Sequence, residues 1–471
     1  MKNAKRILAL ILCLAMLLTV AVGCSQSGTD SSSETPSESS SEPAGEDSSE
    51  EGDESGAGEL SGEVTYMTIW RTGTENVDEK SREAQLNKFI ADNPNVTVQN
   101  DSIAHDDFII KIKALIAADD MPDVWSSRGD MIPSAVDAEL IYNKDEIFSN
   151  AAIEGWEEMF IDGSFEDFLY NGQYWALPAQ FQGCSYLFCN MDLLKECGVE
   201  EAPATWEDLL AAIAKVKEKG LIPLATGNKA QSPVGDCIMS SLCDRYTGTD
   251  WFYSMKEVKG ARFTDQQFVD SLYALKELAD AGAFNADANS LDEDMGRAYY
   301  ANEESPMFFS GAWSTDWIEL NCSEEIINAT KLVLFPSVDG AVGEQNAVSG
   351  GAGWGYAISK TAEGDNFKAA ANLVYYLTNY EYAKEALALG YVRYPSKAPE
   401  GADFSKVGPV TQQYLDSLGE SVFCPDYYVL MESAPLETFG AVVQEIMIGT
   451  TTPEDGAKRI DDAYDQYVVN K

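Results

Sequence analysis

The chain has 471 residues and a formal net charge of −46 at pH 7, with 78 acidic and 32 basic residues. So acidic a protein repels the phosphates of nucleic acids and the head groups of anionic lipids, so we expect it to bind neither directly. One histidine, His105, is too few for a histidine metal cluster or for most nucleophile–histidine pairs.

Residues 1–23 have the layout of a secretory signal. A basic start precedes the apolar run Ile7 to Val22, which is short for a bilayer span. The small residues before Cys24 resemble the lipobox of bacterial lipoproteins, in which that cysteine is acylated and becomes the first mature residue. The resemblance implies an extracytoplasmic protein anchored by lipid to the cell membrane. An ordinary signal peptide with an incidental cysteine is the alternative.

Residues 24–62 are predicted to form a disordered tether. After Cys24 the segment is almost entirely Ser, Glu, Asp, Gly, Thr and Pro, without Lys or Arg. It has too little apolar surface to offset the entropy of ordering, and its like charges extend it. No later apolar run is long enough to span a membrane, so we expect a soluble body beyond residue 62.

The body reads as alternating strands and helices, which predicts an α/β fold with two lobes. Thr205, followed by Trp-Glu-Asp, is a predicted N-cap, and residues 126–130 are a predicted polar loop after a strand. Predicted strands cover 64–70, 96–98, 123–125 and 221–225. Predicted helices cover 80–91, 108–118, 209–219, 265–281, 367–378, 382–389 and 454–468.

Metal and thiol chemistry have weak support in the sequence. Seven cysteines follow Cys24 and none forms a CxxC pair, so we expect buried free thiols, with one disulfide such as Cys237–Cys243 as the alternative. The acidic run 287–294 lacks the spacing of a calcium loop and is predicted to be a solvated turn. We place His105 in an exposed loop and expect no metal and no cofactor.

Tryptophans give the strongest signal for binding. Trp70 and Trp125 end predicted strands, Trp313 and Trp317 follow Gly311, and Trp354 lies in the glycine-rich segment 350–355. Indole rings at strand ends stack on the apolar faces of sugars, while nearby polar groups bind the hydroxyls. We assign four other tryptophans to the core: Trp156, Trp175, Trp206 and Trp251.

Seven segments in order resemble the extracellular solute-binding proteins of bacterial ABC importers. The resemblance is to the carbohydrate-binding family 1, which includes maltose-binding protein. The segments are 69–70, 111–125, 172–178, 186–194, 198–209, 307–313 and 350–378. The resemblance implies a two-lobed, type II periplasmic-binding-protein fold, in which hinge closure encloses the ligand.

Carried onto this chain, the resemblance implies a first lobe of residues 63–180 plus 337–395. The second lobe is then 181–336 plus 396–471. The resemblance also implies candidate ligand-binding residues on the loops and hinge between the lobes. The loop 227–236 and Tyr394 are among these candidates. The candidates are Trp70, Arg71, Thr72, Trp125, Ser126, Ser127, Arg128, Gln180, Gln182, Trp313, Trp317, Gly351, Trp354, Tyr391 and Arg393.

The function implied is a tethered, non-catalytic, monomeric receptor that delivers an oligosaccharide to the transmembrane subunits of an importer. Two alternatives stay open. A tethered glycoside hydrolase would use the same aromatic cleft with a pair of carboxylates. A receptor for acidic, uronic-acid sugars would pair Arg71, Arg128 and Arg393 with ligand carboxylates. The sequence does not specify the sugar, its linkage or its length.

Overall fold

The computed structural model describes residues 60–419 and 421–470. The predicted signal peptide, Cys24 and most of the predicted tether therefore lie outside the described residues. Leu60 packs against the core and Gly62 is the first residue of a strand, so residues 60–62 of the predicted tether belong to the folded body. Within the described ranges, no helix has both the length and the apolar character that crossing a membrane requires.

The strands of the described residues form four sheets. Their bounds are β1 Gly62–Thr68, β2 Val96–Ser102, β3 Val124–Arg128, β4 Leu169–Tyr170, β5 Gln173–Tyr174, β6 Leu177–Pro178, β7 Gln182–Gly183, β8 Tyr186–Asn190, β9 Met307–Ser310, β10 Thr330–Leu334, β11 Ala347–Gly351, β12 Trp354–Ile358 and β13 Val422–Cys424. A five-stranded sheet has the order β2-β1-β3-β12-β6, with β1 parallel to β2 and β3, and β12 antiparallel to β3 and β6. Two three-stranded sheets have the orders β10-β8-β9 and β13-β11-β7, and β4 pairs with β5.

Helices pack around these sheets, and the predicted α/β class is confirmed. Thr205 caps its helix as predicted, in a capping box with Asp208. The α-helices are Val77–Asp92, His105–Ala118, Ile132–Asp137, Lys144–Ala151, Met191–Glu196, Trp206–Glu218, Ser232–Val234, Ser241–Thr247, Thr249–Lys256, Gln266–Ala281, Glu293–Ala301, Trp313–Asn321, Glu324–Ala329, Gly364–Tyr376, Tyr380–Ala388, Pro409–Ser417, Tyr427–Leu430, Ser433–Met447 and Pro453–Tyr464.

Two predicted elements were wrong. Residues 221–225 do not form a strand: Leu224 makes isolated bridges to Phe284 and Met307, and Pro223 lacks the N–H that a ladder needs. The predicted loop after residue 125 is instead strand up to Arg128. It pairs with β12, more than 200 residues later in the chain, so local sequence carries no sign of it.

Two large apolar cores define the two halves of the body. The first core combines side chains from 64–179 and 352–377, and the second combines 187–338 and 427–464. The second core reaches Val338, and Val348 packs in a third core beside it. The predicted lobe bounds stay a prediction. Strand β11 pairs with β7 and β13 rather than with the large sheet.

The seven described cysteines are free thiols, as predicted, and six of them are buried. The alternative disulfide, Cys237–Cys243, is not formed. Burial raises the pKa of Cys243 to about 12, which keeps it in the unreactive thiol form.

Candidate functional site: a cleft beside the hinge

A cleft of about 530 Å³ is lined by residues from both halves of the body. This volume lies within the range of about 300–1,000 Å³ typical of small-molecule sites. Eight of the predicted binding residues line it: Trp70, Arg71, Arg128, Gln180, Gln182, Trp313, Trp354 and Arg393. The predicted loop 227–236 contributes Gly227, Lys229, Ala230, Ser232, Pro233 and Asp236.

Four candidates near β1 and β3 do not line the cleft. Trp125 is fully buried, and its Nε1 donates to Ser359 Oγ at 3.0 Å. Ser126 and Ser127 are buried in the same strand, and the exposed Thr72 faces Ser102 instead. Because β3 continues to Arg128, Arg128 lines the cleft in place of the predicted Trp125, which lies three residues earlier in the chain.

Three further candidates support the cleft from outside. The Arg297 guanidinium carbon lies over the Trp317 ring, 4.8 Å from the ring centroid. Gly351 belongs to β11, where an added Cβ would lie 2.4 Å from the Asp167 carboxylate. Tyr391 is fully buried and its hydroxyl donates to the Arg393 carbonyl at 3.3 Å.

The first wall of the cleft is aromatic and comprises Trp70, Arg71, His105, Arg128 and Trp354. Trp70 Nε1 donates to Asp78 Oδ2 at 3.0 Å, and Arg82 covers one face of its ring. His105 was wrongly placed in an exposed loop: it begins the helix His105–Ala118 and is half-buried. Its ring meets Trp354 edge-on at 5.6 Å. These contacts fix two indoles beside the cleft.

A buried arginine that the sequence did not single out braces this wall. The Arg82 side chain donates to Asp78 Oδ1 at 2.7 Å, to the Tyr356 hydroxyl at 2.8 Å and to the Ala179 carbonyl at 3.0 Å. Its partners lie far apart in the chain, so sequence alone offers no sign of the network.

All three arginines considered for acidic ligands are paired with carboxylates of the chain. Arg71 Nε lies 3.0 Å from Glu79 Oε1, and Arg128 Nε lies 2.6 Å from Asp130 Oδ1. Arg393 is fully buried and donates to both Asp316 oxygens, at 2.5 and 2.9 Å. Burial disfavours the Arg393 charge, but Asp316 more than offsets it and raises the pKa above its ordinary value. These three arginines therefore leave little uncompensated positive charge for a ligand.

The second wall is acidic and comprises Asp292, Glu293, Asp294, Lys229 and Trp313. Trp313 Nε1 donates to Glu293 Oε1 at 2.8 Å, which orients the half-buried indole. The run 287–294 is therefore not simply the solvated turn predicted, since its last three residues line the cleft. They reach it because Gly227 packs against the Asp292 carbonyl, where a Cβ would lie 1.7 Å from the oxygen.

Three buried residues form what we call the floor: Cys184, Asp236 and Asp426. Among the described residues, these three form the one group of Cys, His, Asp or Glu side chains close enough to share a metal ion. Their ligand atoms lie within 4.8 Å of one another. Burial, and then the neighbouring Asp426, raise the pKa of Asp236 well above its usual range. Burial likewise raises the pKa of Cys184. Sequence reasoning missed this cluster because its members are dispersed along the chain.

The hinge side supplies amides to the cleft, and the buried Asp167, which does not line the cleft, binds the backbone of Gly353. Gln182 is buried, and its Oε1 has no hydrogen-bond partner among the described residues, so it can accept from a ligand hydroxyl. Asp167 Oδ2 accepts from the Gly353 amide at 2.8 Å, beside Trp354. Burial raises the pKa of Asp167 to about 6. Gly353 has φ +62°, a conformation that favours glycine.

Comparisons with known proteins agree with this architecture. Residues 84–408 match the family model described as bacterial extracellular solute-binding protein. A probable sugar-binding periplasmic protein of Rhizobium meliloti is 28% identical over 134 residues, which are 28% of this chain and 31% of that protein. The matched region thus spans about a third of the relative's length.

Two solved structures show the same fold. One, from a study of xylan utilization by the thermophilic bacterium Caldanaerobius polysaccharolyticus, has a TM-score of 0.74 and 23% identity. It covers 85% of this chain and 99% of the solved one. A chitin oligosaccharide binding protein has a TM-score of 0.74 and 22% identity, covering 86% and 98%. The predicted two-lobed, type II fold is confirmed. The family match covers more than half of the sequence, and the chain belongs to the bacterial extracellular solute-binding proteins.

Proposed function

We propose that the chain is the substrate-binding subunit of an ABC importer that captures a neutral carbohydrate in the cleft. The observation that carries this proposal is the composition of the cleft lining: indoles in fixed positions lie among carboxylate and amide oxygens, while the arginines are paired within the chain. The matched relative is named for sugar binding, and a solved neighbour for chitin oligosaccharide binding.

The physical basis is that two kinds of side chain in the cleft bind two different parts of a sugar. Trp313 and Trp354 offer apolar surface to the C–H faces of a pyranose ring. Asp292, Glu293 and Gln182 offer oxygens that accept hydrogen bonds from hydroxyls. A carboxylate-bearing sugar would meet acidic groups on the second wall, so the geometry favours the neutral class over the uronic-acid alternative.

The role in transport is capture followed by closure. Closure is driven only by the difference in ligand affinity between the closed and open forms. The proposal includes the lipid anchor at Cys24 and a monomeric state, with importer transmembrane subunits as the partner. The glycoside hydrolase alternative is not supported, since the family consists of solute-binding proteins.

A binding screen with product analysis tests this function. The purified protein is screened by thermal shift against neutral and uronic-acid oligosaccharides, and each mixture is then analysed for cleavage products. We expect at least one neutral sugar to raise the melting temperature and to be recovered intact. Release of shorter sugars, or the absence of any response to sugars, would contradict the proposal.

A further inference from the structure

The cleft floor brings together one thiol and two carboxyl groups that the sugar-binding account does not require. The Cys184 Sγ and a carboxylate oxygen from each of Asp236 and Asp426 all lie within 4.8 Å of one another. The three residues are 4%, 6% and 1% exposed, and all three line the cleft. The cluster is thus buried from bulk solvent but open to a ligand.

Two oxygens of this cluster are unsatisfied. Asp236 Oδ1 and Asp426 Oδ2 are buried, and neither has a hydrogen-bond partner among the described residues. A buried carboxyl oxygen without a donor or cation is costly, and such atoms are uncommon in folded proteins. Besides burial, a hydrogen bond between the two carboxyl groups helps raise the pKa of Asp236, so one proton lies between them. A cation held between the two oxygens would take the place of that proton.

The surrounding structure fixes the free oxygen of Asp426. Its other oxygen, Oδ1, accepts from Ser240 Oγ at 2.9 Å and from the amides of Tyr428 and Val429 at 3.1 and 3.3 Å. Supporting hydrogen bonds of this kind orient the ligands of metal sites. The carboxylate is therefore held with Oδ2 free to bind an ion.

Backbone packing brings the other two ligands into place. The Cys184 amide donates to the Ser349 carbonyl at 2.6 Å, which ties the cysteine to β11. Gly235, next to Asp236, packs against the Tyr428 ring, where a Cβ would lie 2.7 Å from the nearest ring carbon. The segments carrying Asp236 and Asp426 are thus in direct contact.

We propose that Cys184, Asp236 and Asp426 bind one transition-metal ion of the Zn²⁺ class. Thiolate sulfur favours zinc and its neighbours over Ca²⁺ and Mg²⁺, which take oxygen ligands in larger numbers. Bonds of about 2.0–2.3 Å place tetrahedral ligands roughly 3.5 Å apart, so atoms within 4.8 Å need only small side-chain adjustments to coordinate.

Three protein ligands leave the fourth position of the ion open. In zinc proteins this arrangement belongs to sites that bind water or a substrate, whereas purely structural sites have four protein ligands. Because all three residues of the floor line the cleft, a water molecule or a ligand in the cleft would complete the coordination. Two carboxylates and a thiolate around a divalent ion leave one negative charge, and Arg128 lines the same cleft.

Titration of the purified, reduced protein with Co²⁺, followed by Zn²⁺, tests the site without any sugar. We expect one Co²⁺ per chain with a thiolate-to-metal charge-transfer band, which Zn²⁺ removes and Ca²⁺ or Mg²⁺ does not. Cys184→Ser should lose the band, and Asp236→Asn should weaken Co²⁺ binding at least tenfold. Cys197→Ser and Cys322→Ser, which change thiols outside the cluster, should bind as the wild type does.

A wild-type protein without the charge-transfer band, or a band that persists in Cys184→Ser, would overturn the proposal. Circular dichroism melts confirm that each variant is folded. If Asp236→Asn does not fold, Asp426→Asn takes its place. Protection of Cys184 from maleimide by Zn²⁺ in the wild type gives a readout that needs no variant. Failure here leaves the sugar-binding proposal untouched, because no sugar enters the measurement.

Discussion

The two walls of the cleft differ in how their charges are compensated. On the first wall, Arg71 and Arg128 are paired with Glu79 and Asp130. On the second wall, Arg297 pairs with Glu293 and Asp294, whereas Asp292 and Lys229 have no ion pair among the described residues. The difference shows that a basic residue in a binding cleft need not indicate an acidic ligand, because its partner within the chain determines what charge remains.

The largest expected effect is on the packing that brings the second wall to the cleft. A Gly227→Ala substitution places a methyl group against the Asp292 carbonyl, 1.7 Å from its oxygen in the present backbone. We expect the free energy of unfolding to fall by about 3 kcal/mol, measured by urea denaturation. Gly419→Ala is the control, since the nearest atom to its added Cβ is 3.7 Å away. Equal midpoints for the two variants would refute this packing account.

On the hinge side, the pH dependence of stability tests the contact between Asp167 and the Gly353 amide. Burial raises the pKa of Asp167 from 3.8 to about 6, so the folded chain binds this proton more tightly than the unfolded chain. The resulting stabilisation is present at low pH and is lost as the pH rises from the ordinary pKa to the folded one. Asp167→Asn keeps an acceptor for the Gly353 amide but cannot ionise.

The stability of Asp167→Asn relative to wild type should therefore increase by up to about 3 kcal/mol between roughly pH 4 and pH 7. Chemical denaturation at several pH values measures this difference. Asp162→Asn is the control, because that side chain is 93% exposed and should show almost no trend. A flat difference for Asp167→Asn would show that the carboxyl is not buried as described.

The next largest expected effect is the loss of sugar affinity when Trp313 on the second wall is replaced. Trp313→Ala should weaken binding of an identified sugar by about 2 kcal/mol, or roughly 30-fold, by removing the stacking surface. Trp175→Ala is the matched control, because Trp175 does not line the cleft. Its Nε1 also donates one hydrogen bond, to the Tyr170 carbonyl. Calorimetry should give wild-type affinity for this control. Equal losses for both variants would mean that Trp313 acts through stability alone.

The smallest expected effect concerns the first-wall arginines. Arg71→Gln removes an ion pair whose arginine side chain is 52% exposed, and such pairs contribute about 0–1 kcal/mol. We expect less than a threefold change in affinity for a neutral sugar and no new dependence on salt. A tenfold loss that salt abolishes would favour the acidic-ligand alternative.

Local signals in the sequence predicted much of the fold and part of the cleft. Thr205 with Asp208 indicated a helix start, and glycines beside Trp313 and Trp354 indicated binding positions; both tryptophans line the cleft. Trp125 shows where local signals fail. Whether it or Arg128 reaches the cleft depends on how far β3 pairs with β12, a contact between distant segments.

The cleft floor could not be predicted from the sequence for the same reason. Cys184, Asp236 and Asp426 lie on three separate elements, and no spacing rule connects them. Among 78 acidic residues, none is distinctive by type alone. Only the fold shows which two carboxylates are buried together.

Calorimetric titration with matched neutral and uronic-acid oligosaccharides tests the central claim, that this cleft captures a neutral sugar without converting it. The sugars should differ only in the carboxylate and should include those identified by thermal shift. We expect each chain to bind one neutral sugar with an affinity that salt does not change, and the sugar to be recovered intact. Salt-sensitive binding of the uronic-acid sugar alone, or heat from continued turnover, would contradict it.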